Sequence, residues 1–150
     1  MITWASTNID FDREWFRHGL KIILDKTALS YTPDQIFKCV EAGNLSPFIF
    51  FSEKTDKHIG FILVSIDVDY INGVRSLDIA FSWFDTTDYL GSILKPLEDA
   101  SVALAKHYKC SRISFSSSRT AWSRIAEGFN WKDRWNVENF VYGFDLKRAI

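Results

Sequence analysis

Apolar residues recur at near-helical spacing early in the chain. Trp15, Phe16, Leu20, Ile23 and Leu24 predict a helix from about Asp12 to Lys26, slightly weakened by Gly19. A second helix starts at Thr32-Pro33-Asp34-Gln35. Thr32 suits the N-cap, Pro33 the first helical position, and Gln35 can complete a capping box. Ile36, Phe37 and Val40 form its apolar face, and Gly43-Asn44 stops it. The period then changes. Pro47 to Ser52, His58 to Val68 and Val74 to Phe84 read as strands, with Asn72-Gly73 as a hairpin turn between the last two. In the third run Leu77, Ile79 and Phe81 alternate with Asp78, Ala80 and Ser82, so one face is expected in the core.

A long helical stripe follows: Leu90, Ile93, Leu94, Leu97, Ser101, Leu104 and Tyr108, with Ala100 and Ala105 beside it. Pro96 either kinks this helix or marks a start one turn later. Arg112 to Ser118 reads as a strand with Ile113 and Phe115 alternating with serines. Thr120 can cap a short helix, AWSRIAEG, and the tail reads as a hairpin turning near Glu138-Asn139. A further strand fits Ile2 to Ala5. The order α-α-β-β-β-α-β-α-β-β implies an α/β (α+β) fold with a mixed sheet and helices on both faces. The strands flanking the long helix should be parallel and joined by a right-handed crossover.

Composition narrows the function. A chain of 150 residues, 47% hydrophobic and 16% aromatic, can bury a real core and reads as one domain over residues 1–150. The net charge of -1 supplies no general drive toward nucleic acid or anionic membrane. No apolar run is long enough to span a bilayer, and no basic-then-apolar start marks a secretory signal. Cys39 and Cys110 lie in segments that read as packed, are expected as buried free thiols, and have no zinc-ligand pattern around them.

The strand–turn–helix run SLDIAFSWFDTTDYLGSILKPL, followed by a strand, a short helix ending at Gly128-Phe129 and two more strands, resembles the acetyl-CoA-dependent N-acetyltransferase (GNAT) superfamily. That resemblance implies a mostly antiparallel sheet with a central parallel pair. It also implies a pyrophosphate cradle at the turn, with the pattern Gln/Arg-x-x-Gly-x-Gly/Ala. The pattern falls on Thr86-Thr87-Asp88-Tyr89-Leu90-Gly91, where only Gly91 matches. Tyr89 replaces a glycine, and Asp88 places a negative charge where anions should bind. The turn reads either as a capped helix start, with Thr87 or Asp88 as N-cap, or as an altered cradle formed by Thr86, Thr87, Leu90 and Gly91. The family's tyrosine acid is missing too, since Arg124 occupies its usual place. Asp78, Asp85 and Tyr89 are the remaining candidates for acid–base work. Asp78 is on the strand that often carries a base, and Asp85 is at its end.

Three segments together resemble the GNAT-like internal virion and head-associated proteins of tailed bacteriophages. These are SYTPDQIFKCVEAGNL, the Leu94-Lys95-Pro96-Leu97-Glu98 element, and CSRISFSSSRTAWSRIAEGFNWKDRW. The resemblance implies a virion structural or accessory role in the virion or host cytoplasm, with no cofactor and with other virion or assembly proteins as partners. The alternative it implies is an active acetyltransferase using acetyl-CoA. In the tail, Trp131 and Trp135 either pack a terminal hairpin or anchor a protein contact. Neutral overall charge argues against their binding single-stranded nucleic acid.

Overall fold

The structure is a computed structural model that describes residues 2–25, 30–85, 90–116, 136–138 and 141–145. Its elements are β1 (Ile2–Ser6), α1 (Arg13–Asp25), α2 (Pro33–Glu41), β2 (Ser46–Ser52), β3 (His58–Val68), β4 (Arg75–Phe84), α3 (Leu90–His107), β5 (Arg112–Ser116), β6 (Asn136–Glu138) and β7 (Val141–Asp145). A 3-10 turn at Ile9–Phe11, capped by the Asn8 side chain, leads into α1. The strand order is β1-β2-β3-β4-β5-β7-β6. Pairing is antiparallel for β1–β2, β2–β3, β5–β7 and β6–β7, and parallel for β4–β5. This is the mostly antiparallel sheet with a parallel pair that the family resemblance implied, and the parallel pair flanks the long helix as the element order implied. The chain divides into two compact units, Met1–Val64 with Phe81–Ser92, and Ser65–Ala80 with Ile93–Ile150.

In the first unit α1 buries Phe16, Gly19, Leu20, Ile23 and Leu24, the 3.6-residue stripe of the sequence. These join Ile36 and Phe37 of α2 and Ile49, Phe61 and Leu63 of the sheet in one core cluster. Phe61 is fully buried, which contributes about 1.5–3 kcal/mol relative to exposure. Gly19 has a positive role: a Cβ there would lie 2.5 Å from Phe61 and 2.7 Å from Trp83, so the missing side chain admits both rings. The α2 caps form as the sequence implied. Gln35 N–H donates to Thr32 Oγ1 at 3.3 Å, and Thr32 N–H donates to Gln35 Oε1 at 2.9 Å. At the other end Asn44 N–H reaches the Cys39 carbonyl and Gly43 N–H the Val40 carbonyl, with Gly43 at φ +81°. That is a Schellman closure, and glycine suits its left-handed residue. β3 buries six consecutive residues, Ile59 to Val64, as a strand covered on both faces must.

α3 begins at Leu90 and includes Pro96, so the helix does not start a turn late. Ile93, Leu97, Ala100, Leu104 and Ala105 are buried, and Ser101 hides its hydroxyl by donating to the Leu97 carbonyl at 2.7 Å. The helix closes on Lys109 at φ +58°, with Cys110 N–H donating to the Ala105 carbonyl and Lys109 N–H to that of Lys106.

The β3–β4 turn forms where Asn72-Gly73 marked it, as a four-residue loop, Tyr70 to Gly73, closed by Asp69 N–H donating to the Val74 carbonyl at 2.9 Å. The Asp69 carboxylate takes the Ile71 and Asn72 N–H groups, and this widens the connection. Two other expectations, on Phe81 and Cys39, are corrected. Leu77 and Ile79 are buried, but Phe81 is half-buried, packed against the first unit's core. Cys39 is exposed on α2, and only Cys110 is buried.

Candidate functional site

In this topology the place to look is the end of β4 and the start of α3. β4 ends at Phe84. The Asp85 N–H donates to the Ile59 carbonyl at 2.7 Å, which extends the link to β3 by one residue and leaves the Asp85 side chain half-buried. Thr86, Thr87, Asp88 and Tyr89 lie outside the described residues. Leu90 and Gly91 are the first two residues of α3. The helix N-terminus therefore falls where the sequence resemblance put it, and Asp88 and Tyr89 are the two residues that immediately precede it.

Asp78 has a defined environment. It sits opposite Ser114 in the parallel β4–β5 register, and its Oδ1 accepts a hydrogen bond from Ser114 Oγ at 3.0 Å. Ser114 is only 6% exposed, so the carboxylate satisfies a buried hydroxyl. Such a charge-assisted bond contributes about 1.5–3 kcal/mol. Leu77 and Ile113, one register step away and pointing to the other face, are fully buried. Asp85 belongs to the first unit, where its backbone N–H makes the bond to Ile59. The sequence marks Ser114 only as one of the serines that alternate with Ile113 and Phe115. That alternation was the available signal, but the hydroxyl's partner is 36 residues away.

At the far end of the same parallel pair, the Arg75 guanidinium donates to the Tyr108 carbonyl at 3.1 Å, and Ser111 N–H donates to the Arg75 carbonyl. These bonds tie the exit of α3 to the start of β4. Burial pushes the Cys110 thiol up from its ordinary pKa, partly offset by the charge of Arg75. A protonated, buried thiol is not a nucleophile. His107 ends α3 in an exposed position, its ring 4.9 Å from that of Tyr108.

An aromatic cluster in the first unit was not legible in the sequence. The His58 ring lies 5.1 Å from Phe11 and 5.5 Å from Trp15, and Trp83 lies 5.7 Å from Trp15 and 5.6 Å from His18. Its members come from the 3-10 turn, α1, β3 and β4, so no local pattern announces it. The rings pack on one another, which makes the cluster structural. Trp131 and Trp135 lie outside the described residues, as does the short helix read after Thr120. Among the described residues no three His, Cys, Asp or Glu side chains gather to hold a metal ion, and no helix is long and apolar enough to cross a membrane.

No protein-family profile and no curated protein matches this chain. Solved structures do resemble it. An acetyltransferase of the GNAT family from Staphylococcus aureus Mu50 superposes with a TM-score of 0.64 at 15% identity, over 97% of this chain and 99% of that one. Ribosomal-protein-alanine N-acetyltransferase from Brucella melitensis biovar Abortus 2308 gives 0.63 at 12% identity, over 87% and 86%. AtaTR bound with AcCoA gives 0.64 at 10% identity, over 98% and 94%. At these identities the likeness shows the fold and no more: the chain has the GNAT fold.

Proposed function

We propose that this chain is a GNAT-fold protein that has lost acetyl-CoA chemistry and serves, as one domain, as a structural or accessory protein of a tailed-phage virion or of its assembly. The observation that carries the loss of chemistry is the start of α3 at Leu90, directly after Asp88 and Tyr89. The N-terminal end of a helix attracts anions through its free N–H groups and its dipole. In the sequence a carboxylate, Asp88, comes just before Leu90, where an anion should bind, and Tyr89 stands where the family pattern has a glycine. These residue types are a poor match for a pyrophosphate, and this reading assigns the chain no acetyl transfer. The assignment to the virion rests on the three phage-like sequence segments. Trp131 and Trp135 are its proposed anchors on other virion or assembly proteins. Alanine at either should abolish co-purification with those proteins while circular dichroism stays unchanged.

A second reading, an active acetyltransferase, is favoured by Gly91 at the second position of α3 and by the intact order of β4, turn and helix. In that reading Thr86, Thr87, Leu90 and Gly91 would hold acetyl-CoA, with Asp78, Asp85 or Tyr89 handling protons. Titration with acetyl-CoA, followed by tryptophan fluorescence and melting temperature, separates the two. The first reading expects no saturation. Saturable binding near 1 µM, about -8 kcal/mol, would refute it.

A further inference from the structure

The β3–β4 loop carries the two most exposed large hydrophobic side chains described, Tyr70 at 93% and Ile71 at 100%. Their backbone is held in place. Ile71 N–H donates to the Asp69 carboxylate at 2.9 Å, Gly73 N–H to the Asp69 carbonyl at 2.7 Å, and Val74 N–H to the Asn72 side chain at 2.9 Å. A fixed loop presents its side chains at little further ordering cost.

The surroundings carry both charges. Asp67 and Asp69 are exposed at the base of the loop. Lys106, His107 and Lys109 are exposed at the end of α3. The two groups share one end of the second unit, because Arg75 bonds to Tyr108 and Ser111. Ile71 is four residues from Arg75, at most about 14 Å of chain. Yet among the described residues no ion pair joins the loop acids to the helix-end bases; the ion pairs there involve Arg13, Arg17 and Lys95. An apolar tip flanked by the exposed Asp67 on β3 and by the exposed Lys106 and Lys109 at the end of α3 is complementary to itself under a two-fold rotation.

We propose that this end of the molecule is the contact surface for a second copy of the chain. Tyr70 and Ile71 meet their own counterparts across a two-fold axis. Asp67 of each copy faces Lys106 and Lys109 of the other. The occupant is a second copy because the patch supplies both halves of the charge pattern. Two projecting side chains bury far less than the roughly 800 Å² per partner of a standard interface, so the dimer is a weak one. The proposal is independent of whether the chain binds acetyl-CoA.

Sedimentation equilibrium of the full chain tests it. The expected result is a monomer–dimer equilibrium with Kd of about 10–100 µM, weakened by salt because the rim is charged. Ile71→Asp, at a fully exposed position, should abolish dimerisation with an unchanged circular dichroism spectrum. Asp67→Lys should weaken it at least about tenfold, and the paired change Asp67→Lys with Lys109→Asp should restore it. A chain that stays monomeric at about 300 µM in low salt overturns the proposal, as does a dimer indifferent to Ile71→Asp. Monomers that float with phosphatidylcholine vesicles through the same tip would assign it to a bilayer and overturn it as well.

Discussion

Gly60 marks the tightest approach in the first unit, and replacing it with alanine tests that part of the fold. A Cβ at position 60 would lie 2.5 Å from the Trp83 carbonyl oxygen and 2.8 Å from Phe84 Cγ, and it would press on Phe84 Cδ1. Carbon–oxygen contacts between neighbouring strands normally run about 3.3–3.6 Å, so a gap of roughly 0.8 Å must be opened. The Phe84 ring, 5.2 Å from Phe50, could tilt, but the Trp83 carbonyl belongs to the backbone of β4 and moves only with the strand. Overpacking of this kind costs about 1–3 kcal/mol. Alanine returns about 0.5–1 kcal/mol through the lower entropy of the unfolded chain. Because the strand backbone yields less than a ring, the upper half of the overpacking range applies, and the net expectation for Gly60→Ala is a loss of about 1–2.5 kcal/mol. Urea unfolding followed by tryptophan fluorescence reads this as a lower midpoint at constant slope. Gly73→Ala is the contrast. Nothing lies within 4 Å of a Cβ there, so only its φ of +74° is penalised, by about 1 kcal/mol. A Gly60→Ala protein as stable as the parent would refute the close packing of β3 against β4.

Other outcomes follow from single contacts. Ser114→Ala removes the donor to Asp78 and should lower stability by about 1–3 kcal/mol in the same urea assay. Lys109→Gly relieves the left-handed residue that closes α3 and should stabilise by up to about 1 kcal/mol, visible as a rise in melting temperature. With a chromogenic thiol reagent, Cys39 should react at once in the native protein and Cys110 only on unfolding. Because the Cys110 pKa is raised by folding, its stabilising effect is complete below the ordinary thiol pKa. It is lost as pH rises above that value, so unfolding becomes easier in mild alkali.

The contrast between α2 and the β3–β4 loop explains what was legible. Thr32, Pro33 and Gln35 act on one another within four residues, so the helix start could be read directly. Asn72-Gly73 marked the right place for a turn, but Asp69 decides its size by capturing two N–H groups. Gly19 looked like a weakness in α1 because its partners, Phe61 and Trp83, come from distant strands. The candidate site followed the same rule. The start of α3 was visible in its periodicity, whereas the Asp78–Ser114 bond exists only through the parallel register of β4 and β5.

The loop at Tyr70–Gly73 separates two properties that usually travel together. Its Tyr70 and Ile71 side chains stand almost wholly in water, yet the amides of Ile71, Asn72, Gly73 and Val74 all donate to oxygens of Asp69 or Asn72. Hydrogen exchange follows amide bonding rather than side-chain exposure. Deuterium should therefore enter these four positions more slowly than it enters an open coil, at the very tip where a surface map would place the fastest exchange.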